Sequence, residues 1–147
     1  MNIEKWDQRF LDIAHTCAQW SKEPRKKVGA VIVDADRAIV SMGYNGFPRG
    51  VHDTNARLQN RELKNKIAVH AEINAILQAR RSVRNCTLYV TPLYPCSNCA
   101  GAIINAGIIK VVAICGQDSQ NWTESMELAQ IMFKEAGVQF IGVSGNE

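Results

Sequence analysis

Apolar residues recur at three- and four-residue steps near the start of the chain: Ile3, Trp6, Phe10, Ile13, Ala14, Cys17 and Trp20. That spacing gathers them on one stripe and predicts an amphipathic helix over residues 3–20. Ser21-Lys22-Glu23-Pro24 closes it, because proline disfavours helical geometry at the residue before it. The period then changes. Val28-Gly29-Ala30-Val31-Ile32-Val33 is apolar throughout, as in a strand covered on both faces. Asp34-Ala35-Asp36-Arg37 turns the chain into a second strand, residues 38–44, which forms a hairpin with the first.

The middle of the chain is less regular. Asn45-Gly46-Phe47-Pro48-Arg49-Gly50 is dense in turn formers and predicts a long irregular loop reaching Asn60. Residues 57–66 are polar, and fit either a short exposed helix or an ordered flap; the pattern leaves both open. A helix is predicted over 69–81, with Ile73, Ile76 and Leu77 inward, then a strand over 86–91. Pro95 suits a helix's first turn, so Cys96 and Cys99 open a third helix ending near Asn105. A strand over 108–114 follows. The next helix, 121–136, has Met126, Leu128, Ala129, Met132 and Phe133 as apolar residues, and Gly137 stops it. A last strand covers 138–143, and the final four residues are expected to fray. Strands alternating with helices predict an α/β fold with a mixed five-stranded sheet and helices on both faces. No repeat or linker divides residues 1–147, which read as one domain.

Composition narrows the classes. The chain is 46% hydrophobic and 21% charged, as in an ordinary globular protein, with no run long enough to span a membrane. The N-terminus lacks the basic and apolar regions of a signal peptide. A net charge of +3 is too small to argue for a nucleic-acid surface, though it suits a small anionic substrate. Five cysteines, an odd number, point to a reducing compartment, and the cytoplasm is the expected location.

The chemistry concentrates in two short stretches, His70-Ala71-Glu72 and Pro95-Cys96-Ser97-Asn98-Cys99. One imidazole and two thiols make a ligand set suited to Zn²⁺, and three protein ligands leave a coordination position for water. Glu72 is not needed as a ligand and is the natural proton shuttle. A redox Cys-x-x-Cys pair would leave His70 and Glu72 without a role. A structural zinc would want a fourth ligand in a second close pair, and Cys17, Cys86 and Cys115 stand singly. Residues two apart do not share a helix face, so His70 and Glu72 can serve one site only at the helix's N-terminal end. That end also offers free backbone N–H groups to a substrate carbonyl. Arg25-Lys26-Lys27 precedes the first strand; at least two of these cations are expected in a solvated loop, and the alternative role is a phosphate contact.

His-x-Glu followed by Pro-Cys-x-x-Cys matches the signature of the zinc nucleobase deaminases. From Trp20 to Gly137 the chain resembles the deoxycytidylate (dCMP) deaminases of the cytidine deaminase superfamily. The likeness rests on the zinc motif, on Ser21-Lys22 with Arg25 ahead of the first strand, and on Gly43-Tyr44-Asn45-Gly46-Phe47-Pro48-Arg49-Gly50. The resemblance implies a cytidine deaminase-like three-layer α/β/α sandwich, a homo-oligomer of up to six chains, and hydrolytic deamination of dCMP to dUMP. It implies that Asn45 touches the sugar, that Ala71 offers its N–H to the base, and that Arg25, with Lys26 beside it, reads the phosphate. It further implies control by dCTP and dTTP bound with Mg²⁺ near Gly43, Tyr44, Gly46 and Arg49. Two departures stand out: Glu23 replaces a cysteine common in that group, and residues 116–122 replace a Tyr-His-rich segment. Rival readings are a deaminase of dCTP, cytidine or another nucleobase, and a non-catalytic zinc- or nucleotide-binding protein. Retention of Glu72 argues against the last.

Overall fold

Alternating faces of the strands divide the core in two. The computed structural model describes residues 3–116 and 123–144. In order it contains α1 (Lys5–Ala18), β1 (Gly29–Val33), β2 (Ile39–Tyr44), α2 (Asn55–Gln59), α3 (Arg61–Ile67) and α4 (Ala71–Gln78). Then come β3 (Thr87–Thr91), α5 (Ser97–Asn105), β4 (Lys110–Cys115), α6 (Glu124–Ala136) and β5 (Gln139–Ser144). The strands form one sheet in the order β2-β1-β3-β4-β5. β1 is antiparallel to β2 and β3, whereas β3, β4 and β5 run parallel through helical crossovers, the mixed sheet that the alternation predicts.

Successive side chains of a strand point to opposite faces. Val31 and Val33 therefore meet α1, with Phe10, Leu11, Ala14, Tyr89 and Val112. Ala30 and Ile32 face the other way and pack with Leu88, Val90 and Val111 beneath Ala75, Ala100, Ile103, Ala129 and Phe133 of α4, α5 and α6. The result is the three-layer α/β/α sandwich, with α1 alone on one side. On that side Asp7 is buried but satisfied: Tyr89 donates its hydroxyl proton to Asp7 Oδ1 at 2.7 Å, and Lys110 Nζ lies 3.7 Å from Oδ2. Burial, and then this bond, push the Tyr89 pKa well above its ordinary value.

α4 lies unusually close to β2. A Cβ on Gly43 would stand 2.5 Å from the Ala75 amide nitrogen and 2.7 Å from the Ala71 carbonyl oxygen, so only glycine admits the helix there. Ser41 donates its hydroxyl to the Ala75 carbonyl at 2.7 Å, and Asn74 donates Nδ2 to the Tyr44 carbonyl at 2.8 Å. β2 thereby fixes the helix that carries Glu72.

Several expectations need correction. The loop expected to stay irregular to Asn60 gives way to α2 and α3, because Thr54 and Asn60 both cap: Thr54 Oγ1 accepts from the Arg57 amide and Asn60 Oδ1 from the Leu63 amide. The open choice over 57–66 resolves as helix, with Lys64 buried. The helix expected over 69–81 spans only Ala71–Gln78. Leu77, expected inward, is 69% exposed. It falls two residues after the buried Ala75, about 200° round the helix. Leu128 of α6, for which no burial was expected, is also exposed, two residues after the buried Met126. The helix expected from 121 begins at Glu124, because Thr123 is extended and caps it, its side chain accepting from the Met126 amide; residues 117–122 lie outside the described residues. Ser144, expected to fray, ends β5, and residues 145–147 lie outside the described chain. Gly137 stops α6 in left-handed geometry, at φ 79°, as expected. Among the described residues no helix is long and apolar enough to cross a membrane.

Candidate active site

Two helices begin side by side. His70 is the N-cap residue of α4 and Cys96 that of α5. A polar residue there commonly turns its side chain back onto the helix's first amides. Neither makes such a bond, and the two side chains meet instead. His70 Nδ1 lies 3.5 Å from Cys96 Sγ and 3.2 Å from Cys99 Sγ, in the first turn of α5. All three donor atoms fall within 4.8 Å of one another. Zinc bonds of about 2.05 Å to nitrogen and 2.3 Å to sulfur, at a tetrahedral angle, span about 3.5 Å. The donor set therefore fits a zinc ion in both chemistry and spacing.

Hydrogen bonds within the cluster shift its members in opposite directions. A hydrogen bond from the Cys99 thiol, ahead of the opposing effect of burial, lowers the Cys96 pKa to about 4. Cys99, as the donor, is held correspondingly up. The hydrogen bond to Cys96 raises His70. Glu72 stands one residue into the same helix, is only 4% exposed, and does not join the ligand cluster. Burial raises its carboxyl above the usual range, so its ionised form is a stronger base than a solvated glutamate. The start of α5 is braced from α6: the Ser97 amide donates to Ser125 Oγ at 2.8 Å.

A cavity of about 300 Å³ opens over these groups. His70, Ala71, Glu72 and Cys96 line it together with Arg25, Lys26 and Asn45. Lys27 stays outside and exposed. Ala71 is the first residue of α4, so its N–H has no carbonyl within the helix. The Asn45 amide is already engaged on both sides: Nδ2 donates to the Lys26 carbonyl at 2.8 Å and Oδ1 accepts from the Val28 amide at 3.0 Å. One donor and one acceptor valence remain to it. Next to it, Gly46 pairs with Val69, which leads into His70. This short path joins the basic loop to the His70, Cys96 and Cys99 cluster.

The residues expected around an effector divide. Tyr44 and Gly46 line a second cavity of about 170 Å³, with Trp20, Lys22, Phe47 and Asp53. Gly43 instead lies buried against α4, and Arg49 reaches Gln78 at 3.3 Å.

The model for the cytidine and deoxycytidylate deaminase zinc-binding region matches residues 4–115. The chain belongs to this family. An uncharacterized deaminase encoded in the luxG 3′ region of Aliivibrio fischeri is 44% identical, with 93% of this chain and 92% of that protein covered. Human deoxycytidylate deaminase is 37% identical, with 92% and 78% covered. The crystal structure of the dCMP deaminase of cyanophage S-TIM5 with dCMP and dUMP superposes with a TM-score of 0.79. It is 26% identical, with 97% of this chain and all of that one (100%) covered.

In this deaminase the cavity also holds side chains that sequence reasoning passed over. Arg61 and Lys64 of α3 line it, as does Glu23. Lys64 Nζ donates to Glu23 Oε1 at 2.7 Å in a pair with side chains 5% and 11% exposed. The same Oε1 accepts from the Arg25 amide at 2.8 Å. The three-residue spacing of Arg61 and Lys64, which puts both on one helix face, was the signal available.

Proposed function

We propose that this deaminase converts dCMP and water to dUMP and ammonia, with a zinc ion held by His70, Cys96 and Cys99. One observation carries the reading: the cavity over Glu72 and the ligand cluster is also the cavity lined by Arg25 and Lys26. A proton-transfer group and a place for a phosphate thus share one space of a size suited to a small ligand. The deoxycytidylate deaminase from human, at 37% identity, supports the same substrate.

A zinc ion in this site would lower the pKa of a water molecule towards neutrality and so make it a better nucleophile. Glu72 would take a proton from a water placed to attack C4 of the cytosine ring. It would pass that proton to N3, then carry a second, from the oxygen newly bonded to C4, to the departing amino group, acting as base and acid in turn. Its burial matches the task, since a desolvated carboxylate holds a proton more readily. The free N–H of Ala71 donates to the base carbonyl, and the remaining valences of Asn45 reach the sugar hydroxyl. Arg25 grips two phosphate oxygens and Lys26 adds a point charge.

The second cavity, walled by Trp20, Tyr44 and Phe47, is the proposed effector site for dCTP and dTTP with Mg²⁺, since aromatic faces suit a base. Gly43 and Arg49 support the surrounding loop. Residues 1–147 act as one catalytic domain, and copies assemble into a homo-oligomer of six chains or fewer through apolar side chains left outward. Five free cysteines suit the cytoplasm.

The deciding experiment compares turnover of dCMP, dCTP, deoxycytidine, cytidine and guanine by zinc-loaded protein, with and without dCTP or dTTP and Mg²⁺. dCMP should be strongly preferred, raised by dCTP and lowered by dTTP. Arg25→Ala should lower kcat/KM on dCMP about ten- to a hundred-fold and leave deoxycytidine nearly unchanged. Equal wild-type rates on dCMP and deoxycytidine would end the nucleotide reading.

A further inference from the structure

We infer that Arg61 is a second guanidinium for the substrate's phosphate, completing from α3 the grip that Arg25 and Lys26 begin from the loop before β1. This rests on the nucleotide reading above, and adds a residue that determines specificity.

Charge is the first argument. Arg25, Lys26 and Arg61 line one cavity, and no side-chain hydrogen bond or ion pair engages any of the three among the described residues. Lys64 lines it too, but its charge is answered by Glu23 at 2.7 Å. The one other carboxylate in the cavity wall, Glu72, is buried beside the ligand cluster. Three unanswered cations therefore line one recess, and an entering anion would relieve their mutual repulsion. A neutral nucleoside gives no reason for such a set. A phosphate monoester, carrying about −1.5 to −2 at neutral pH, does.

Geometry is the second. Glu23 Oε1 accepts both the Arg25 amide, at 2.8 Å, and Lys64 Nζ, at 2.7 Å. One carboxylate oxygen thus ties the turn that bears Arg25 to the helix that bears Arg61. Lys64 follows Arg61 by three residues, so the face of α3 that Glu23 holds is the face Arg61 occupies. Ser21 secures the other end of the turn, donating to the Asn45 carbonyl at 2.7 Å and accepting from the Glu23 amide at 3.1 Å. Two elements distant in sequence are held ready, so a ligand need not order them on arrival. Arg61 itself is exposed, as suits a group that stays hydrated until the phosphate comes.

The test uses zinc-loaded wild type, Arg61→Gln and Arg61→Lys, with steady-state rates on dCMP and deoxycytidine and calorimetric titration with dUMP. Arg61→Gln should lower kcat/KM on dCMP about ten- to a hundred-fold, chiefly by raising KM, and weaken dUMP binding by a similar factor. Deoxycytidine turnover should hold, and Arg61→Lys should recover only part of the loss, because an ammonium lacks the planar fork. An unchanged dCMP KM and dUMP affinity, or an equal loss on deoxycytidine, overturns the assignment of Arg61. A wild-type enzyme indifferent to the phosphate overturns the nucleotide reading as well, and the two failures are told apart by the wild-type rates.

Discussion

Glu72 and its neighbours show how position sets a side chain's chemistry. Cys17, Cys86 and Cys115 are thiols like the others, but each is buried singly, and burial raises Cys17 and Cys86. Cys96 and Cys99 meet an imidazole at the starts of two helices, in a group spaced to hold a metal ion. Protein dialysed without chelator should therefore hold about one zinc per chain by elemental analysis, and chelation should abolish a turnover that added zinc restores. Glu72→Gln keeps the side chain's shape and removes its proton. It should retain zinc and fold while losing roughly 10²–10⁴-fold in kcat. A variant that loses its metal would recast Glu72 as a ligand, and one that keeps its rate would remove it from the mechanism.

At the scale of elements, the question is what holds α3 against the loop before β1. The Glu23–Lys64 pair does so almost out of reach of water, where breaking one partner strands the other's charge. Lys64→Met should cost about 3–5 kcal/mol of stability in denaturant unfolding. Adding Glu23→Gln should recover part of that loss instead of adding to it, since no buried charge is then stranded. Strictly additive losses would show that the two do not act on each other. The same cycle read by KM on dCMP should show coupling, because Glu23 also holds the Arg25 amide.

The whole molecule leaves apolar side chains where its own layers do not cover them. Leu77 of α4 and Leu128 and Ile131 of α6 are 69%, 49% and 54% exposed. Single exposed leucines are ordinary, so their weight as an interface lies in a solution measurement. Sedimentation of the wild type should show a discrete oligomer at micromolar concentration, and Leu128→Glu with Ile131→Glu should shift it towards smaller species. A wild type that sediments as a monomer throughout the accessible range would place the complete site in one chain and remove the proposed assembly.

Periodicity and short motifs determined most of the frame before any coordinates. The three-four spacing from Ile3 to Trp20, the apolar run from Val28 to Val33 and Gly137 each describe local geometry, and each appears in the structure within a few residues. His70, Glu72, Cys96 and Cys99 were legible as a set because metal ligation restricts residue type and spacing so tightly. Leu77 was misjudged because hydrophobicity alone does not say which arc of a helix meets the sheet. The Thr54 and Asn60 caps were present in the sequence but outweighed by the turn formers before them. What only the tertiary structure decided is the company that Glu72 keeps. Arg25, Asn45, and the α3 pair Arg61 and Lys64 come from three separate segments and meet through Gly46 paired with Val69 and Lys64 bonded to Glu23. No local period encodes such meetings, because they depend on sheet pairing and helix packing between residues far apart in the chain.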